Sequence, residues 1–416
     1  MEESIIGFDN LKYVRMQSEK IKERFKLFDK LYLEIGGKLF ADTHAARVLP
    51  GFKKDAKIKM FYKIKDVLEI IFCISAIDIE KNKTRGDFRI PYTQELLNLI
   101  NMSKEEGFSV NSVVITLYKN QIYADEFIKK LNNEGIKTYI HKFLEGYPKN
   151  IDIIVSERGY GSNPFIETSK KLILVNAPGP GSGKLATCLS QIYHESLRNV
   201  KAGYAKFETF PVWNLPINHP LNLAYEAATA DLKDVNKIDP FHKEKYGIDA
   251  VNYNRDIEAF PILSTIFIRI SSKTKYNSPT DMGINKIGYC ITDNDIVKEA
   301  SLKEIERRFN DASNKLEKGL CDEATYEKLK YLKNKCSIID SSGAKFLNCI
   351  GQPKNSETHS TYIITGNGKL NVKNLKINLS CENKLLEDNW AKVCYIFLII
   401  MLIFILFFPN SRGNVY

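Results

Sequence analysis

The chain has 416 residues, 44% of them apolar and 26% charged, and a formal net charge of +10. This leaves room for two or three domains with a sizeable core and excludes a disordered or collagen-like chain. The basic excess does not mark a nucleic-acid binder: lysines alternate with acids, as in 18–26 and 303–319, and no basic stripe carries interleaved aromatics.

The N-terminus (MEESIIGFDN) starts acidic and has no long apolar stretch, so neither a signal nor a transit peptide is expected. Residues 10–30 carry Leu11, Val14, Ile21, Phe25 and Phe28 at helical spacing. LYLEI (31–35) reads as a short strand running into Gly36-Gly37-Lys38. Ile70 to Ala76 reads as a fully buried parallel strand ending at Asp78 and Glu80, where α/β sheets place ligand-binding groups. A helix (93–107), a strand (112–118), a helix closed by Gly135 and a strand (137–143) follow. IDIIV (151–155) and LILVN (172–176) read as two more strands. The alternation predicts an α/β fold, a mostly parallel doubly wound sheet over a first domain, 1–215. Residues 216–340 read as a helical domain, with helices at 219–232, 255–270, 296–318 and 321–335.

The most informative stretch is 171–199. LILVN leads into APGPGSGK and then a helical pattern, the layout of a phosphate-binding loop. The pattern G-x-x-x-x-G-K-[ST] fails twice, at Pro178 and at Leu185, where a hydroxyl normally holds Mg²⁺. ATP hydrolysis by the usual mechanism is therefore disfavoured. What survives is an anion cradle: Gly179, Gly181, Ser182 and Gly183 for backbone donors and Lys184 for charge. The competing reading is a strand–turn–helix corner in which the glycines only make the turn.

LVNAPGPGSGKLATCLSQIYHE, KAGYAKFETFPVWNLPINHPLNLAYEAATADLKDVN and VNYNRDIEAFP, with LYLEIGGKLFADTHAARVLPGF and SPTDMGINKIGYCI, closely resemble a family of bacterial proteins of unknown function. The resemblance covers most of residues 5–325. It implies an α/β domain with helical and small α+β parts behind it, and no established activity. Members have sometimes been labelled ATP-dependent peptidases or zinc proteases, a label the residues contradict. A zincin needs two His four apart, and after His194-Glu195 the second position holds Arg198. No metal is assigned. By comparison with the family, 341–388 reads as the shortened remnant of a C-terminal α+β domain.

The tail, 389–416, contains sixteen consecutive apolar residues, Val393 to Phe408. A spanning helix takes about 20, with about 17 as a lower limit, so the segment is a barely sufficient membrane anchor. The rival reading is a tail translated out of frame. The expected location is cytoplasmic, with membrane attachment through 393–408. The eight Cys form no C-x-x-C pair and read as reduced, partly buried thiols. Cys188, one turn after Lys184, is either a thiol of lowered pKa or a buried packing residue.

Other polar clusters at strand ends supply candidate site-lining groups: Lys38, Arg47, Asp78, Arg85 and Glu157, the last beside a Gly159–Gly161 turn. The leading expectation is a protein that binds a nucleotide or phosphorylated small molecule through the glycine-rich loop. No further cofactor is identified, nucleic acid is not a partner, and a homo-oligomer is expected. The alternative is a structural or oligomeric interaction protein without catalysis.

Overall fold

The computed structural model describes residues 6–84, 90–208, 211–271 and 275–341, the last five as backbone alone. In chain order the elements are α1 (Asn10–Lys26), β1 (Lys30–Ile35), α2 (Thr43–Val48), α3 (Ala56–Tyr62), β2 (Leu68–Ser75), α4 (Ala76–Glu80), α5 (Tyr92–Glu105), β3 (Ser109–Tyr118), α6 (Ile122–Asn133), β4 (Thr138–Lys142) and α7 (Ile151–Ile154). Then come β5 (Leu172–Asn176), α8 (Lys184–Leu197), β6 (Ala202–Phe207), α9 (Pro220–Ala228), β7 (Asn236–Ile238), α10 (Pro240–Tyr246), β8 (Val251–Tyr253), α11 (Asn254–Ile270), β9 (Gly283–Ile284), α12 (Asn294–Leu316) and α13 (Glu323–Ser341).

Seven strands form one sheet in the order β4-β3-β2-β5-β1-β6-β9, and every pairing in it is parallel. Period-two alternation sends the side chains of each strand to two covered faces. On one face Leu33, Ile70, Phe72, Val113 and Leu174 pack with α1, α3, α5 and α6. On the other, Tyr32, Ile71, Cys73 and Val175 pack with α8 and α11. The sheet is therefore doubly wound. β2, LEIIFCIS, is buried at all eight positions, which its β-branched and aromatic content suits.

Two expectations are corrected. IDIIV forms no strand: residues 151–154 make one helical turn, capped by the Asn150 side chain accepting from the Ile153 amide at 3.2 Å. A short apolar run does not distinguish strand from helix by periodicity, and the cap decides it. Asp78 does not project from a strand end either. The Ser75 hydroxyl accepts from the amides of Ile77 and Asp78, so α4 starts as soon as β2 ends.

Residues beyond 215 supply β9 to the main sheet, pairing Phe207 with Ile284, and a separate antiparallel β7–β8 pair. Among the described residues no helix is long and apolar enough to cross a membrane. The apolar run 393–408 and the remnant expected over 341–388 lie outside the described residues, apart from the end of α13.

α12 is tied to α2 by one carboxylate. The Glu304 side chain is 1% exposed and accepts from Arg47 Nε (2.7 Å), Arg307 Nε (2.7 Å) and Arg308 Nε (2.9 Å), with His44 Nδ1 at 3.3 Å. Burial opposes its charge, but the arginines hold its carboxyl far below the usual carboxylate range. Removing it leaves guanidinium groups without their counter-charge. Glu304→Ala should lower stability at neutral pH by about 3 kcal/mol in urea unfolding, the low end for a broken buried pair because Arg47 and Arg307 are partly exposed. A depressed carboxylate stabilises above its unfolded-state pKa. The gap between wild type and variant should therefore narrow as the pH falls below the ordinary value of 4.5. A gap independent of pH would contradict this assignment.

Candidate functional site

Sheet order places the β5–α8 loop at a crossing of directions. β2 connects outward to β3 through α5 on one face, and its neighbour β5 connects across β1 to β6 through α8 on the other. Such a switch point opens a crevice at the carboxyl edge of a parallel sheet.

The loop's three glycines answer three different demands. Gly181 has φ +78° and nothing within 4 Å of the position a Cβ would take. Gly183 has φ +81°, and a Cβ there would sit 2.7 Å from Thr116 Oγ1. Gly179 is closed off by Tyr92, whose Oη would lie 2.2 Å from a Cβ. Ser182 is buried and holds the turn: its hydroxyl donates to Gly179 O at 2.9 Å, and its carbonyl accepts from the Thr116 hydroxyl at 2.9 Å. Its side chain thus braces the cradle. α8 begins at Lys184 without a side-chain cap. Among the described residues the amides of Gly181 through Ala186 donate to no partner. Thr187 does not replace the hydroxyl missing at Leu185, because it is buried and accepts from the Cys73 thiol at 3.4 Å.

Beside the loop lies a set of charged side chains. Glu34 on β1 is in register with Val175 on β5 and Lys206 on β6. Its Oε1 is 4.0 Å from Lys184 Nζ, and its Oε2 accepts from the Tyr204 hydroxyl at 2.6 Å. Lys206 Nζ meets Asp256 Oδ1 of α11 at 2.5 Å, while among the described residues the buried Asp256 Oδ2 has no hydrogen-bond partner. Burial and the charge of Glu34 push the Tyr204 phenol well up, so it remains a donor. The Tyr147 phenol is pushed up by the same two causes. Glu34, Lys206, Tyr204 and Asp256 were missed by sequence reading. The available signal was a lysine inside AGYAKF, a strand buried at every position, since a charge there needs a partner.

The structure brings some of the other expected groups to this edge and turns others away. Asp78 is buried on α4 and meets Lys83 Nζ at 3.4 Å; Lys83 lies 5.0 Å over the Tyr92 ring that closes Gly179. Lys38 is half-buried in the segment after β1. Arg47 is committed to Glu304 on α12, since that carboxylate outcompetes a distant loop for it. Glu157 is exposed, and Gly159 serves packing: a Cβ there would meet Ile153 O at 2.1 Å. Arg85 lies outside the described residues. On the opposite face of β1, Lys57 is buried between Asp42 and Glu208, 2.8 Å from each, and the Tyr13 hydroxyl donates to Glu208. The two carboxylates outweigh burial and raise the Lys57 pKa, so this nest stays charged.

His194 Nε2 is 2.8 Å from Asn163 O, and its ring packs by Phe165 and Tyr193. Among the described residues no group of three or more His, Cys, Asp or Glu side chains is arranged to hold a metal ion. Cys188 is fully buried on α8, and burial raises its thiol pKa. The helix N-terminus does not activate it; Cys188 is a packing residue.

Residues 6–337 match the profile of the N-terminal domain of unknown function DUF1846. The chain is 55% identical over 337 residues to the UPF0371 proteins of Clostridium botulinum strains Alaska E43 and Eklund 17B, covering 81% of this chain and 67% of each relative. It is 54% identical over 334 residues to the UPF0371 protein of Clostridium tetani strain Massachusetts / E88, covering 80% of this chain and 66% of that relative. The chain belongs to this bacterial family of unknown function.

Thiol labelling tests the packing assignment. Cys73 is fully buried and pushed up to about 12, and Cys188 is equally buried, whereas Cys321 is partly exposed. With a maleimide and native protein, mass spectrometry should find Cys321 modified and Cys73 and Cys188 unmodified. Fast modification of Cys188 would instead mean an accessible, activated thiol.

Proposed function

We propose that this DUF1846 family member binds a phosphorylated small molecule or nucleotide at the β5–α8 loop. The phosphate is received by the amides of residues 181–186 and by the Lys184 ammonium. The supporting observation is a run of amides without a partner among the described residues, at the start of a 14-residue helix, beside a lysine and at the switch point of a parallel sheet. Aligned peptide dipoles put about half a positive charge at that helix end, and glycine at 181 leaves the approach open. Lys184 turns from Glu34, 4.0 Å away, to a stronger dianion. With Leu185 in place of the metal-holding hydroxyl, this reading is one of anion recognition rather than phosphate-loop ATP hydrolysis.

Calorimetric titration and thermal melts with inorganic phosphate, sugar phosphates and ATP test the reading. A ligand at 100 times its dissociation constant should stabilise by about 2.7 kcal/mol. Lys184→Ala should weaken binding by about tenfold or more, as expected for loss of a charged hydrogen bond. Gly181→Val fills the open approach and should abolish binding. Its ligand-free melting temperature separates this effect from strain at positive φ. Unchanged affinity in both variants would overturn the proposal.

A further inference from the structure

We propose that the loop's ligand is a monosaccharide phosphate whose ring hydroxyls are held by Glu34, Lys206 and Asp256. This deepens the reading of the loop as a phosphate site and rests on it.

The geometry points to a second half of the site. Glu34 and Lys206 are register partners on adjacent parallel strands, so they stand side by side on the face covered by α8 and α11. Lys184 reaches Glu34 from the loop, and Asp256 reaches Lys206 from α11. A loop cation, a carboxylate, an ammonium and a second carboxylate thus run in one direction across the carboxyl edge. All four side chains are mostly buried, yet each keeps 9–14% of its surface open.

The second carboxylate is incomplete as it stands. Asp256 is buried, Lys206 satisfies only its Oδ1, and among the described residues Oδ2 has no hydrogen-bond partner. A buried, charged acceptor without a donor is costly, and buried polar atoms left unsatisfied call for an explanation. A ligand donor at this position removes the deficit. Glu34 retains Oε1, whose nearest cation is 4.0 Å away, longer than a hydrogen bond.

The chemistry of this row selects its partner. Two carboxylates repel a second phosphate. A purely apolar group leaves Asp256 Oδ2 and Glu34 Oε1 without a donor. A hydroxyl donates to a carboxylate and accepts from an ammonium at once, so neighbouring hydroxyls match an acceptor–donor–acceptor row. Size agrees. The phosphate would sit beyond β5 and Asp256 lies above β6, two strand spacings or about 10 Å apart, roughly the length of one sugar ring with its phosphoester.

Calorimetry with four probes tests this: inorganic phosphate, ethyl phosphate, glucose 6-phosphate and glucosamine 6-phosphate. Wild type should bind glucose 6-phosphate at least tenfold tighter than ethyl phosphate. Asp256→Asn should remove most of that advantage and leave ethyl phosphate affinity unchanged; Glu34→Gln is the second variant should the first fold poorly, with ligand-free melts as the control. Equal affinities for ethyl phosphate and glucose 6-phosphate, or equal losses for both in the variants, would overturn the sugar assignment while leaving the phosphate loop standing. A gain confined to glucosamine 6-phosphate would also overturn it, in favour of ammonium recognition. Absence of binding by all four probes would remove the phosphate reading, and this inference with it.

Discussion

The parallel pairing of β1 with β5 on one side and β6 on the other is the constraint on which the remainder depends. Parallel strands end at the same edge, so three chain segments far apart in sequence finish side by side. This sets the glycine loop after β5 next to Glu34, and Glu34 next to Lys206. The price is a strand with no solvent-exposed face, which is why Tyr32 and Leu33 alternate between two apolar layers. The face that carries Tyr32 admits charge at both ends of the strand, at Lys30, which pairs with the buried Glu195 at 3.0 Å, and at Glu34.

That admission is electrostatically balanced on both faces. On one, Glu34, Lys184, Lys206 and Asp256 pair two acids with two bases. On the other, Lys57 sits between Asp42 and Glu208, and Tyr13 supports the latter. Buried ion clusters contribute little net stability compared with apolar packing of similar volume, since desolvation offsets attraction. The opposite edge holds less, the Lys30–Glu195 pair and Glu69 capping the amides of Ser169 and Lys170, and the strand centre from Ile70 to Ile74 is apolar.

Much of the architecture was legible because β2, β3 and β5 are continuous apolar runs and α1, α5, α6 and α8 carry a helical period. β6 was not read as a strand, since AGYAKF has one aromatic before its last residue and a central lysine, and its strand character comes from burial between β1 and β9. IDIIV misled because an Asn150 cap outweighs four apolar residues. The loop glycines were legible from spacing alone. Glu34, Lys206 and Asp256 were not, because register between β1 and β6 and the docking of α11 are tertiary facts with no local pattern. Arg47 differs again: read as a site-lining group, it is paired with Glu304, a carboxylate 257 positions later that no local pattern announces.

The occlusion of the loop has a consequence for chirality. Tyr92 blocks Gly179 and Thr116 blocks Gly183, while only Gly181 faces open space. On the proposed reading, a phosphorylated guest would meet the loop at Gly181, with the start of α8 at one end and β1 beside it. A receptor that grips a molecule at three non-equivalent points, and forbids approach from behind, separates mirror images without any further device. On that reading the handedness of a guest would be selected by a loop whose shape Tyr92 and Thr116 hold.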